Sequence, residues 1–244
     1  MIGRRAYLGG LAGVFTVCWL LLAVRPYARD TWLLENLLLV VGVLALLASH
    51  RALPLSRISY TLIFVFLLLH SIGAHYTYSL VPWADWMEAV GLGALVPADA
   101  SRNHFDRIVH FTYGLLLAYP IREVFLRVAD LRGFWGYFFP LSVTLSTSVL
   151  YELAEWGAAE VFGGDLGIAF VGVQGDVWDA QKDMALAGVG ALIAMAVTAS
   201  LNYGLQRDFA REWVDSLRVK SAAPLGEDEL ARLWRQRREG RRRR

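Results

Sequence analysis

Apolar residues run along this chain in six long blocks separated by short polar stretches. The blocks fall at about 6–24, 32–49, 58–80, 108–125, 134–159 and 183–203. Crossing about 30 Å of hydrocarbon takes about 20 such residues in a helix. A helix also satisfies its own backbone polar groups where no water can. The pattern therefore predicts an all-α polytopic membrane protein, with about six transmembrane helices over 1–203. Residues 204–244 differ in character. Phe209, Trp213 and Leu217 recur every four residues among Arg207, Arg211 and Arg218, which predicts an amphipathic helix lying in the membrane interface. The extreme end, closing on four arginines, is expected to be partly disordered. Arg4 and Arg5 before the first block give it the outline of a signal peptide. Its core is long and no small-x-small cleavage site follows before Arg25, so it reads as a retained span.

Composition narrows the class further. Hydrophobic residues make up 56% of 244 and charged ones only 19%, with a mean hydropathy of +0.42, which argues against a soluble domain. The single cysteine, Cys18, lies inside the first block, so there is neither a disulfide framework nor a thiolate metal site, and it reads as apolar filler. With six spans both termini share a side, and 19 of the 24 Lys and Arg residues fall there. The opposite side holds Arg25, Arg29, Arg102, Arg107 and Lys182. The positive-inside rule then places both termini in the cytoplasm. Basic residues of the tail would attract anionic lipids at about 1 kcal/mol each near the surface. No nucleic-acid partner is expected, since a tail tethered to the bilayer has a nearer anionic one.

Against this apolar background the ionisable residues stand out. His70 and His75 lie late in the third block, and Asp106 and His110 open the fourth. Glu152 and Glu155 lie late in the fifth, and Asp176, Asp179 and Asp183 open the last. A charge in the hydrocarbon layer costs roughly 2.5–3.5 kcal/mol on insertion scales, and such residues mark functional sites by default. On the predicted topology all four sets reach the same outer-leaflet depth. Asp106 and His110, four apart, share a helix face, as do Glu152 and Glu155, three apart. Asp176, Asp179 and Asp183 would form one stripe if their helix starts early enough. His70 and His75 sit about 140° apart on an ideal helix, so one of them is expected to face a common centre. His75, nearer the outer end, is the one expected.

Carboxylates and imidazoles on facing helices can bind a divalent metal such as Zn²⁺, Mn²⁺ or Fe²⁺. His75, Asp106, His110, Glu152, Glu155, Asp176 and Asp179 are the candidate ligands. Glu152, Glu155 or Asp183 is the candidate catalytic base for a metal-bound water. The same groups could form a proton relay or cation path. They could also be interhelical hydrogen-bonding groups, paired with Arg102, Arg107 or Lys182. Asp106, Asp176 and Asp179 also suit helix N-termini. Two like charges in low dielectric repel unless a cation or a proton lies between them. Convergence of His110, Glu152, Glu155 and at least one of the three aspartates on a common cavity is therefore expected.

Other signals are weaker. The glycine-rich stretch from Phe162 to Asp176 lacks a nucleotide-binding spacing and reads as a re-entrant or capping loop. Trp83, Trp86 and Met87 read as an interfacial segment with aromatic anchors. Ser142, Thr144, Ser146, Thr147 and Ser148 are expected to bond to neighbouring helices.

Three strings carry a family resemblance: Arg102-Asn103-His104-Phe105-Asp106-Arg107-Ile108-Val109-His110-Phe111, Tyr151-Glu152-Leu153-Ala154-Glu155-Trp156, and Gly175-Asp176-Val177-Trp178-Asp179-Ala180-Gln181-Lys182-Asp183-Met184. With them, residues of about 10–200 resemble the YjdF-like bacterial inner-membrane family, which implies a membrane location. A more distant likeness is to VanZ-like membrane proteins, at Asp106, His110, Glu152 and Asp176 or Asp183. That likeness implies a connection with the cell envelope or glycopeptide tolerance. The chain departs from it in carrying Glu155 and an Asp-rich stretch. The expected function is a metal-dependent hydrolase acting on an envelope lipid or lipid-linked substrate. The alternatives are a small cation- or proton-coupled transporter and a non-catalytic structural or accessory membrane protein.

Overall fold

The computed structural model describes residues 3–97, 102–164, 174–220 and 225–242. The glycine-rich stretch expected to cap the bundle falls largely on 165–173, outside them. Nine α-helices are described: α1 (Arg4–Leu22), α2 (Arg29–Ser49), α3 (Arg57–His75), α4 (Trp83–Ala89), α5 (Phe105–Val128), α6 (Trp135–Phe162), α7 (Asp179–Leu205), α8 (Phe209–Ser216) and α9 (Leu225–Arg242). No strand occurs among the described residues. Four helices, α1, α2, α3 and α7, are long and apolar enough to cross a membrane. The other two long ones, α5 and α6, have 24 and 28 residues. At 1.5 Å per residue they are about 36 and 42 Å long, enough to cross as well. These two carry Asp106, His110, Glu152 and Glu155.

The long helices alternate in direction. Arg4 at the start of α1 donates to the Leu55 carbonyl before α3, and the Tyr7 and Thr61 hydroxyls meet at 2.5 Å. At the other end of the same pair, His75 Nδ1 donates to the Leu22 carbonyl at 2.6 Å. The last turns of α5 return to the start of α3, where Glu123 accepts from the Ser56 backbone N–H and the Ser59 hydroxyl. Asn202 near the end of α7 donates to the Tyr137 hydroxyl near the start of α6. One end of the bundle therefore gathers the ends of α3 and α6 with the starts of α5 and α7. That end holds the ionisable residues singled out above.

Helices α5 and α7 form the central pair. Their approach depends on residues too small to keep them apart. A Cβ at Gly114 would lie 1.9 Å from the Ala187 carbonyl oxygen, and one at Gly190 would lie 2.1 Å from that of Phe111. Ala118, Ala187 and Ala191 complete the contact with no exposed surface at all. Close backbone packing of this kind replaces the hydrophobic drive that helices lack in lipid. Outward-facing positions are apolar: Leu37, Leu44, Leu47, Leu192 and Val197 are all exposed, as a lipid-facing surface requires.

Several local expectations are revised. The third block ends as helix at His75, and the chain then turns through Thr77 and Tyr78, both at φ 54°. Trp83 packs into the core with Tyr78, Val81, Phe105 and Val109 instead of anchoring at the interface, while Trp86 is exposed. Thr144, Ser146 and Thr147 donate to the carbonyls four residues back on their own helix. In hydrocarbon that acceptor is always within reach. Thr147 also meets the Tyr113 hydroxyl of α5 at 2.5 Å. Helix α8 docks on the start of α6, with Phe209 and Trp213 against Tyr137 and Ser216 accepting from the Phe134 N–H.

Candidate functional site

The helical register of α5 points Asp106 and His110 at the same side, and the α5–α7 contact sets Asp183 opposite them. One ligand atom from each of Asp106, His110 and Asp183 lies within 4.8 Å of the other two. His110 Nε2 is 3.6 Å from Asp106 Oδ1 and 3.5 Å from Glu152 Oε1, so α6 joins the same centre. Asp183 is 2% exposed and its Oδ1 has no hydrogen-bond partner. Glu152 Oε1 is likewise buried without one. These are under-satisfied acidic oxygens in a closed helical interface, where an unmet polar atom is costly. Two donors each about 2.0–2.2 Å from one ion can be no more than about 4.4 Å apart. Three donors sharing one ion can all be at most about 3.8 Å apart, so the three atoms would have to close up by as much as about 1 Å to coordinate it.

The neighbouring positive charges are engaged at the mouth. Arg102 is buried and ion-paired with Asp179; Arg107 pairs with Asp176 and lies 3.5 Å from Asp179. Lys182 Nζ donates to Asp176 at 2.6 Å. Helix α7 begins at Asp179, so Asp176 lies before it and the predicted three-aspartate stripe shortens to Asp179 and Asp183. Asp176 instead accepts from the Trp178 backbone N–H at 3.1 Å. Its bond to Lys182, then that N–H and Arg107, hold its carboxyl at about 2, below the usual carboxylate range. Asp176 and Asp179 thus form a charged rim with three cations, beside the His110 centre.

A second polar layer extends from the centre towards α2 and α3. The Tyr151 hydroxyl donates to Glu35 Oε2 at 3.2 Å, and Glu155 faces the same hydroxyl. Glu35 is 4% exposed. It was not among the expected site residues, although it meets the same criterion, a carboxylate set within an apolar block. His70 is also here: its Nε2 donates to the Glu35 carbonyl oxygen at 3.1 Å, and its Nδ1 accepts from the Tyr78 hydroxyl at 2.5 Å. Tyr78 reaches back because Gly73 leaves room, since a Cβ there would lie 2.5 Å from the tyrosine ring. The preference for His75 over His70 is therefore reversed. His75 is turned to the Leu22 carbonyl and the Tyr27 and Tyr76 rings, fastening α1 to α3 away from the centre.

A cavity of about 520 Å³ runs from this layer between α2, α3, α5 and α6. His70, Tyr78, Asp106, His110 and Tyr151 line one end, while Leu39, Leu46, Ile63, Leu67 and Leu117 line much of the rest.

Residues 7–203 match the family model described as a predicted membrane protein, DUF2238. The chain belongs to this family. It is also 36% identical over 188 residues to the inner membrane protein YjdF of Escherichia coli strain K12, covering 76% of this chain and 86% of the relative. These matches, with the apolar helices, make it an integral protein of the bacterial inner membrane. No solved structure matches it.

Proposed function

We propose that this family member is a metal-dependent hydrolase embedded in the bilayer, acting on an envelope lipid or lipid-linked substrate. The observation that carries the reading is the meeting of Asp106, His110 and Asp183 within 4.8 Å, with Asp106 and His110 lining the polar end of an otherwise apolar cavity. Two carboxylates and an imidazole suit Zn²⁺, Mn²⁺ or Fe²⁺, and a bound cation would offset the acidic charge gathered there. The metal would supply a water acidified enough to react near neutral pH. Glu152, 3.5 Å from His110 Nε2, is placed to take one proton from that water and return it to the leaving oxygen. The water oxygen would bond to the ester or phosphoester centre as the bond to the leaving group breaks. Glu155 and Glu35, joined through Tyr151, would connect that proton to the second polar layer. The positive-inside bias supports cytoplasmic termini, which would open the site to the outer leaflet.

The test is turnover of radiolabelled bacterial envelope lipids by purified protein in vesicles supplied with Zn²⁺ or Mn²⁺. Metal-dependent release of a labelled fragment, abolished in Glu152→Gln and His110→Ala, is the expected result. Absence of any fragment from fully metal-loaded protein would reject the hydrolase reading.

A further inference from the structure

The cavity beside the proposed metal centre is polar at one end and hydrocarbon-like along the rest, the profile of a single amphiphile. From His70 to Ile63 on α3, and from His110 to Leu117 on α5, the lining descends about 10 Å along the helix axes. Leu39 and Leu46 of α2 and Leu67 of α3 extend the apolar wall, while the Tyr113–Thr147 hydrogen bond ties α5 to α6 beside it. At the polar end Ser148 lines the cavity at 2% exposure, and its hydroxyl has no hydrogen-bond partner. Unlike Thr144, Ser146 and Thr147, it leaves the carbonyl four residues back unused. A free hydroxyl donor at that depth fits a carbonyl oxygen.

The cavity also has a side entrance. Leu38 of α2 and Leu150 of α6 line it and remain 51% and 63% exposed. Helix α2 packs mainly on α3, leaving its flank towards α6 to the lipid. A ligand can therefore enter from within the bilayer without passing through water.

We propose that the cavity is the seat of one linear acyl chain of a single-chain acyl ester such as a lysophospholipid. The ester lies beside Ser148, Asp106 and His110, and about the eighth carbon of the chain, about 10 Å further on, lies near Leu46, Ile63 and Leu117. This names the substrate class of the proposed hydrolase and rests on that reading for its reactive centre. The chain site itself rests on the cavity.

Gly42 gives a clean test. It lines the cavity, and a Cβ built on it meets no atom within 4 Å, so a large side chain there starts in open space at the cavity wall. The full-length protein is reconstituted in vesicles of phosphatidylethanolamine and phosphatidylglycerol. The probe is lysophosphatidylethanolamine whose chain carries a photoactivatable diazirine at about the eighth carbon. Crosslinks are expected on Leu46, Ile63 and Leu117, lost in Gly42→Trp while that variant keeps the metal content of the parent. Crosslinks confined to the lipid-facing Leu37, Leu44 and Leu47, or undiminished in Gly42→Trp, would overturn the proposal. Cavity crosslinking in a parent protein that binds no metal would uphold the acyl site and sink the hydrolase reading alone.

Discussion

Asp176 stands at the rim of the site, held by Arg107, Lys182 and the Trp178 N–H. Its carboxyl is held at about 2 against an ordinary value of 3.8, mainly by Lys182, with the Trp178 N–H and Arg107 assisting. A depressed carboxyl pKa contributes stability that is complete above the unfolded value and is lost as pH falls through the folded one. Asp176→Asn should therefore melt below the parent at pH 7, and the gap should close between about pH 4 and pH 2. Melting in detergent across that range checks it, and a gap that persists unchanged at pH 2 would show that the charge is not what Asp176 contributes. At this scale the sequence was only partly legible. The intramembrane acids marked Asp106, Glu152 and Asp183 because charge is costly there. The choice between His70 and His75 was not legible, since it turns on Tyr78 folding back over Gly73, a contact between residues five apart across a turn. Glu35 meets the same criterion, a carboxylate within an apolar block.

Among the elements, the α5–α7 pair sets the geometry on which the site depends. Gly114 lies four residues after His110, and Ala187 four after Asp183, so the small-residue contact continues directly into the candidate ligands. Gly190→Leu would push a side chain into the Phe111 backbone and force the helices apart. The expected cost is about 1–3 kcal/mol, the usual penalty for overpacking, together with loss of metal binding. A Gly190→Leu protein with the parent's melting temperature and metal content would contradict this account of the pair. The six apolar blocks predicted the long helices, because block length is a property of contiguous sequence. Helix ends were less legible: α5 begins before its apolar block, and α7 begins after Asp176 because that side chain caps the turn instead of extending it.

For the whole molecule, the alternating helices place the acid-rich site at one end and most basic residues at the other. Which helices are neighbours could not be read from hydropathy. It follows from interhelical contacts such as those of Glu123 with Ser56 and Tyr151 with Glu35. With Cys18 replaced by serine, single cysteines at Glu88 and Arg218, both exposed and at opposite ends, report orientation. An impermeant thiol reagent added to intact cells should label position 88 and spare 218. The reverse would put the site on the cytoplasmic face.

Whether Asp106, His110 and Asp183 hold an ion decides the proposed chemistry. Elemental analysis of the purified full-length protein, after equilibration with Zn²⁺ or Mn²⁺ and removal of excess, measures that directly. One ion per chain in the parent, lost in Asp183→Asn and His110→Ala but retained in His75→Ala, is the predicted result. A folded parent protein that retains no ion, or a His75→Ala protein that alone loses it, would contradict the site described here.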